Sequence, residues 1–225
     1  MATLDSINEG NEMTFDTVVV KEASGNGIKV DITTPTFPWR DITGSLSIHE
    51  PGGGGGDPTY DDYIGNIKAY KFDTLDTTGS NGDEMFVEFH LPHDYAEGTN
   101  LYIHAHWGHN SGSVTTGAVT WDFQASYAKG HNQAAFSAPI TAQASQDAST
   151  TQYQHMIAEV QLSDPSPSAT QLDTDDIEID GLILVRVSLS ANSMDGSADP
   201  FLHQVDIHYQ STNVGTKDKA PDFYT

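Results

Sequence analysis

The chain has 225 residues and a formal net charge of −23, from 9 Lys+Arg against 32 Asp+Glu. That balance excludes nucleic acid and anionic membranes as partners, because both require clustered Lys and Arg. Cysteine is absent, which excludes disulfides, thiolate metal sites and a thiol nucleophile.

The length suits one all-β domain and is enough to bury a sizeable core. Arginine occurs only at Arg40 and Arg186, and acids are spread along the whole chain. Such a composition is expected of a protein adapted to concentrated salt, which shortens the reach of like-charge repulsion to a few ångströms. Hydrophobic residues make up 36% and aromatics 9%. They fall in alternating runs, which argues against disorder.

The start, "MATLDSINEGNEMTFD", has no basic head followed by an apolar run, so no export leader is expected. No stretch reaches the ~20 apolar residues of a membrane-spanning helix. Residues 14–21, "TFDTVVVK", predict a strand, and "GIKVDIT" (27–33) follows a turn-rich connector, so the two predict a hairpin. "TPTFPWRDITG" (34–44) reads as an extended arm, since proline is kept out of central strands. "SLSIHE" (45–50) predicts a short strand. "PGGGGGDP" (51–58) is a flexible connector or loop tip. It lacks the Lys-Ser/Thr and the strand-to-helix context of a phosphate loop. The chain thus divides into N-terminal strands and a docking arm (1–50), a connector (51–58) and a β-domain (59–225), with one continuous domain as the alternative.

Within the β-domain, strands are predicted at 64–72, 84–91, 100–107, 118–129, 154–162, 181–190 and 203–210. Period-two alternation assigns their faces. Leu101, Ile103, Ala105 and Trp107 point inward, and so do Trp121, Phe123, Ala125 and Tyr127. "GLILVRVSLS" is nearly all apolar and reads as a central strand. "AQASQDASTTQYQHM" is expected to hold at most one helical turn. The fold class is therefore all-β, an antiparallel β-sandwich, jelly-roll-like, with an extended N-terminal arm.

"LYIHAHWGHN" (101–110) carries the main chemical signal. His104 and His106 share the outward face of one strand, close enough to converge on one ion. His90 and His208 have the same outward parity, with Glu88 and Asp206 as possible acidic ligands if their strands are neighbours. The metal candidates are His104, His106 and His208, holding a structural divalent ion. The alternatives are a polar sheet face without metal, or a cupin-like metalloenzyme. A cupin places its histidines inside the barrel, and the acid expected a few residues after the pair is missing here. His93 and His109 read as solvated, and His203 as a core-edge residue. "DTDDIEID" (173–180) reads as a solvated acidic loop. No Gly-x-Ser-x-Gly elbow is present, so no catalytic residue is assigned and the chain is expected not to be an enzyme.

The order "FVEFHLPHDYAEGTNLYIHAHW", "VTWDFQASYAKGHNQAAF", "DPFLHQVDIHYQSTNVGTKDKAPDFY" resembles a group of virion structural proteins of tailed viruses. In these, a strand ending in Pro-His-x-His-Trp precedes a Trp- and Tyr-containing strand, and an Asp-x-His-Tyr strand closes the domain. The resemblance covers roughly residues 84–130 and 200–224. Ile103 stands where a proline often precedes the first histidine, and "STNVGT" replaces the usual acidic loop. His104, His106 and His208 match the motif's histidines. The resemblance implies a β-sandwich in a head- or tail-associated part of the particle. The expected role is a capsid decoration or turret component of a virus whose host lives in salt. A tail-tip or fibre module binding a host surface receptor through loops 108–117 and 191–200 is the alternative. A homotrimer contacting other virion proteins is the expected assembly.

The charge generates one prediction. Dialysis from about 2 M to about 0.05 M KCl, where screening is weak, lowers the thermal midpoint by several degrees. An unchanged midpoint removes the salt-adaptation reading.

Overall fold

The computed structural model describes the backbone of residues 17–21 and 27–31, and residues 37–48, 56–77, 82–216, 218–221 and 223 in full. The chain forms two compact units, Met1–Phe37 and Pro38–Thr225. The first contains β1 (Thr17–Lys21) and β2 (Gly27–Asp31). They pair antiparallel with Thr17 opposite Asp31, which is the expected hairpin.

The second unit begins with β3 (Trp39–Thr43), β4 (Thr59–Ile64), β5 (Ile67–Lys71) and β6 (Glu84–His90). β7 (Tyr102–Gly108), β8 (Ala118–Ala128), β9 (Ile140–Asp147) and β10 (Met156–Gln161) follow. Two-residue strands β11 (Ser163–Asp164) and β12 (Leu172–Asp173) precede a single 3-10 turn at Thr174–Asp176. β13 (Leu182–Asn192) and β14 (Phe201–Gln210) complete the domain. Among the described residues no helix is long and apolar enough to cross a membrane.

The strand order defines the architecture. One sheet runs β10-β7-β14-β5-β4, with β3 also paired to β14, and the other runs β6-β13-β8-β9. Take β5 to β10, β13 and β14 as the eight core strands. The first then pairs with the last, the second with the seventh, the third with the sixth and the fourth with the fifth. An antiparallel ribbon paired in this way and folded across itself is a jelly roll. The β-sandwich expected from alternation is therefore present.

Burial explains why the sheets stack. Inward residues of β7 (Ile103, Ala105, Trp107) face inward residues of β8 (Trp121, Phe123, Ala125) and β13 (Ile183, Val185, Val187), and all are buried. Trp121 packs edge-on to Phe72 with ring centroids 5.0 Å apart, and lies 6.5 Å from Trp107. Trp107 donates its indole N–H to Gln146 Oε1 at 2.7 Å. Gly117 enters β8 with φ +112°, a conformation open to glycine, and a side chain there would strike the Ser193 carbonyl.

Several expectations need correction. The segment read as an arm supplies β3, which pairs Ile42 opposite Ile207, and the compact unit starts at Pro38. Proline ends before this strand begins, and the strand lies off the main path of its sheet. "SLSIHE" reduces to a bridge between Ser47 and Phe86, and residues 49–55, with His49 and the first four glycines of the run, lie outside the described residues. The strand expected at 64–72 is the second half of a hairpin, β4–Gly65–Asn66–β5, with Gly65 at φ +58°. The Gly-Asn dipeptide was its signal. β9 occupies Ile140–Asp147, partly where a helical turn was allowed. It buries only Ala142 and Ala144, so it lacks the bulky residues that mark a strand.

The core gives a stability prediction. Trp121→Ala costs about 3–5 kcal/mol in urea unfolding. The Trp121 indole N–H has no hydrogen-bond partner among the described residues. Trp121→Phe removes that polar group and costs less than half as much. Equal losses for the two variants would contradict this account.

Candidate metal centre

The outer face of β7 and β14 carries the histidines. Burying Ile103 and Ala105 turns His104 and His106 to the opposite face, because the pleat repeats every two residues. Antiparallel pairing sets Asp206 opposite His104, Gln204 opposite His106 and His208 opposite Tyr102. On the other flank, β10 sets Glu159 opposite His104.

These side chains form a continuous line. Asp41 Oδ1 lies 2.8 Å from His208 Nε2, and His208 Nδ1 lies 2.9 Å from Glu159 Oε2. The same Glu159 oxygen is 3.4 Å from His104 Nδ1. His104 Nε2 lies in ion-pair contact with Asp206 Oδ1. His106 Nε2 reaches the Asp206 carboxylate at 3.0 and 3.2 Å. His106 Nδ1 meets His155 Nε2 at 2.7 Å, with the two rings stacked.

Two ligand triads result: His104, His106 and Asp206, and Asp41, His104 and His208. The three predicted histidines thus do not form one triad. His104 belongs to both groups, and Asp206 takes the place expected of His208 beside the His-x-His pair. His90 and Glu88 are elsewhere, since β6 belongs to the other sheet. His104 is outward-facing as expected, yet its side chain is only 1% exposed, with Asp206 at 5% and His106 at 18%. Glu159 and Asp41 were not singled out, and His155 was placed only in an uncertain strand. The parity of Glu159 was legible but its strand neighbour was not, and Asp41 lay in the segment read as an arm.

Electrostatics follows the geometry. Burial disfavours a charged His104, but the Asp206 and Glu159 carboxylates outweigh it and raise the pKa. Burial also opposes ionisation of Asp206, and the two imidazoles reverse that and lower its pKa. His106 is lowered, chiefly by burial and against the pull of Asp206.

The other histidines differ from expectation. His109 is fully buried, with Nε2 2.8 Å from the Ser149 carbonyl, where a solvated residue was expected. His93 is half-buried against Thr216 Oγ1 at 2.6 Å. His203 is exposed and packs edge-on to Tyr63, because the register shifts between Leu202 and Gln204. His90 and His131 both contact Asp180, at 2.6 and 2.5 Å. The acidic loop is only partly solvated, since Ile177 and Ile179 anchor it in the core. A groove of about 590 Å³ lies on the four-stranded sheet, lined by Phe86, Leu184, Gln124 and Arg186 among others. Arg186 there is committed to Asp76 and Glu84.

No protein-family model matches the chain, and no curated protein matches it. Among solved structures, the chain is similar to the N-terminal CBM22-1–GH10 modules of Clostridium thermocellum endo-1,4-β-D-xylanase 10B, complexed with xylohexaose. Identity is 11%, TM-score 0.34, with 75% of this chain and 25% of that chain covered. It is also similar to an Arthrobacter globiformis T6 isomalto-dextranase complexed with panose, at 16% identity and TM-score 0.35, covering 77% and 24%. The chain spans about a quarter of the length of each. At this level of similarity no activity, ligand or residue role transfers.

The pair His104–Asp206 predicts a pH window. The Asp206 pKa is lowered, so its contribution is present above the ordinary carboxylate range and lost as pH falls through the folded value. The His104 pKa is raised, so its contribution is full below ~6.5 and lost as pH rises through the folded value. With chelator present, Asp206→Asn therefore destabilises most near pH 5–6, by about 3 kcal/mol. The gap from the parent chain narrows as pH rises through the raised His104 pKa and as pH falls through the lowered Asp206 pKa. A gap independent of pH would remove the ion-pair account.

Proposed function

We propose that the chain is a non-enzymatic structural protein of a tailed-virus particle, a capsid decoration or turret component that works as a homo-oligomer. The observation that carries this reading is the eight-strand jelly roll with an interior filled by apolar side chains. A sandwich whose inner faces are occupied by Ile103, Trp107, Trp121, Phe123, Ile183 and Leu202 has no room inside for a reaction centre. The histidine line lies on an outer sheet face, where a cupin-like enzyme would not put it. The motif resemblance to virion proteins supports the same reading, and its segments supply β6, β7, β8 and β14.

The surface charge fits display on a particle. A net charge of −23 disfavours contact with packaged nucleic acid and favours a position on the outside of the shell.

Antibody labelling of intact virions tests the reading. Label on the head surface, in copy numbers following the capsid symmetry, is the expected result. Label confined to the tail tip supports the receptor-binding alternative and overturns the decoration role. Absence of the chain from purified particles overturns both.

A further inference from the structure

We propose that His104, His106 and Asp206 bind one divalent transition-metal ion of the zinc class, at a site that ties β7 to β14.

The three groups present two ring nitrogens and a carboxylate oxygen within 4.8 Å of one another. His104 and Asp206 are almost fully enclosed, and His104 Nε2 lies in direct contact with Asp206 Oδ1. A carboxylate held this far from water needs positive charge beside it. Here that nitrogen faces the carboxylate that His106 Nε2 also faces. The common point between them is where an ion would satisfy all three.

Ligating histidines usually engage a second group through the other ring nitrogen, which fixes the tautomer and the ring. Both histidines do so. His104 Nδ1 faces Glu159, and His106 Nδ1 faces His155. Glu159 is in turn held by His208, and His208 by Asp41. Gln204 Nε2 steadies Asp206 Oδ2 at 3.3 Å. This arrangement ranks the two triads. In the group of Asp41, His104 and His208, the His104 nitrogen facing that side already has Glu159, and Asp41 is 52% exposed. That group braces the site and does not hold the ion.

The donor set chooses the metal. Two imidazoles and one carboxylate suit zinc, cobalt or nickel, whereas calcium and magnesium prefer all-oxygen shells. The ligands come from the third and the last core strands, so a bound ion crosslinks the middle of one sheet. The proposal does not depend on the virion reading.

The test uses the full chain, stripped with chelator and titrated with Zn²⁺ or Co²⁺. The expected result is one equivalent per chain and visible Co²⁺ absorption of nitrogen–oxygen coordination. At a hundredfold excess over Kd, zinc raises the thermal midpoint by about 5–10 °C, with no rise for Ca²⁺ or Mg²⁺. His106→Ala, at a partly exposed position where folding is retained, abolishes saturable binding. Glu159→Gln weakens it about 10–100-fold. His208→Ala still saturates, and His90→Ala binds like the parent chain. Failure of the parent chain to bind zinc or cobalt saturably overturns the proposal. Undiminished binding by His106→Ala, or loss in His208→Ala with retention in His106→Ala, also overturns it.

Discussion

The antiparallel pairing of β7 with β14 is the constraint on which the rest depends. It sets Ile103 opposite Ile207 and Ala105 opposite Val205 on the inner face. The same register sets Asp206 opposite His104 on the outer face. A slip of β7 by one residue would turn His104 and His106 into the apolar interior and expose Trp107. The core and the histidine line are therefore two readings of a single register. Asp206 adds a second requirement, because a carboxylate that is 5% exposed must be neutralised by its surroundings. Two imidazoles from the neighbouring strand meet it, and that demand holds the rings in place.

The two arginines follow the same logic. Arg40 reaches Asp94 at 2.7 Å, and Asp94 also accepts from Tyr209 and Ser211. Arg186 holds Asp76 and Glu84. In so acidic a chain, these strong cations are placed where carboxylates are partly or wholly removed from water. Buried Asp83 is held instead by the backbone N–H groups of Asp73 and Thr74, and acids exposed at the surface are within reach of screening by salt. Histidine takes over the cation's work along the outer face of β7 and β14.

Much of the fold was legible because alternation reports which face a residue occupies. Met85, Val87 and Phe89 on β6, and Trp121, Phe123 and Ala125 on β8, carry their burial in their spacing. β9 did not, because Ala142 and Ala144 are too small to mark a buried face. β4 was missed because Gly65–Asn66 was read as part of one long strand. The site was legible only in part for a related reason. Parity correctly turned His90, His104, His106, Asp206 and His208 outward, yet parity cannot say which strands lie side by side. His90 went to the other sheet, and Glu159 entered through β10. The choice of His208 over Asp206 as third ligand followed a motif's histidines, whereas the pairing register favours the carboxylate.

The metal site on the β7–β14 pair is the central claim, and anomalous X-ray scattering tests it most directly. Crystals of the zinc-loaded chain, measured on both sides of the zinc absorption edge, should show one strong anomalous peak within ~2.0–2.2 Å of His104 Nε2, His106 Nε2 and an Asp206 oxygen. A peak beside Asp41 and His208 instead, or none on this sheet face, would contradict the account.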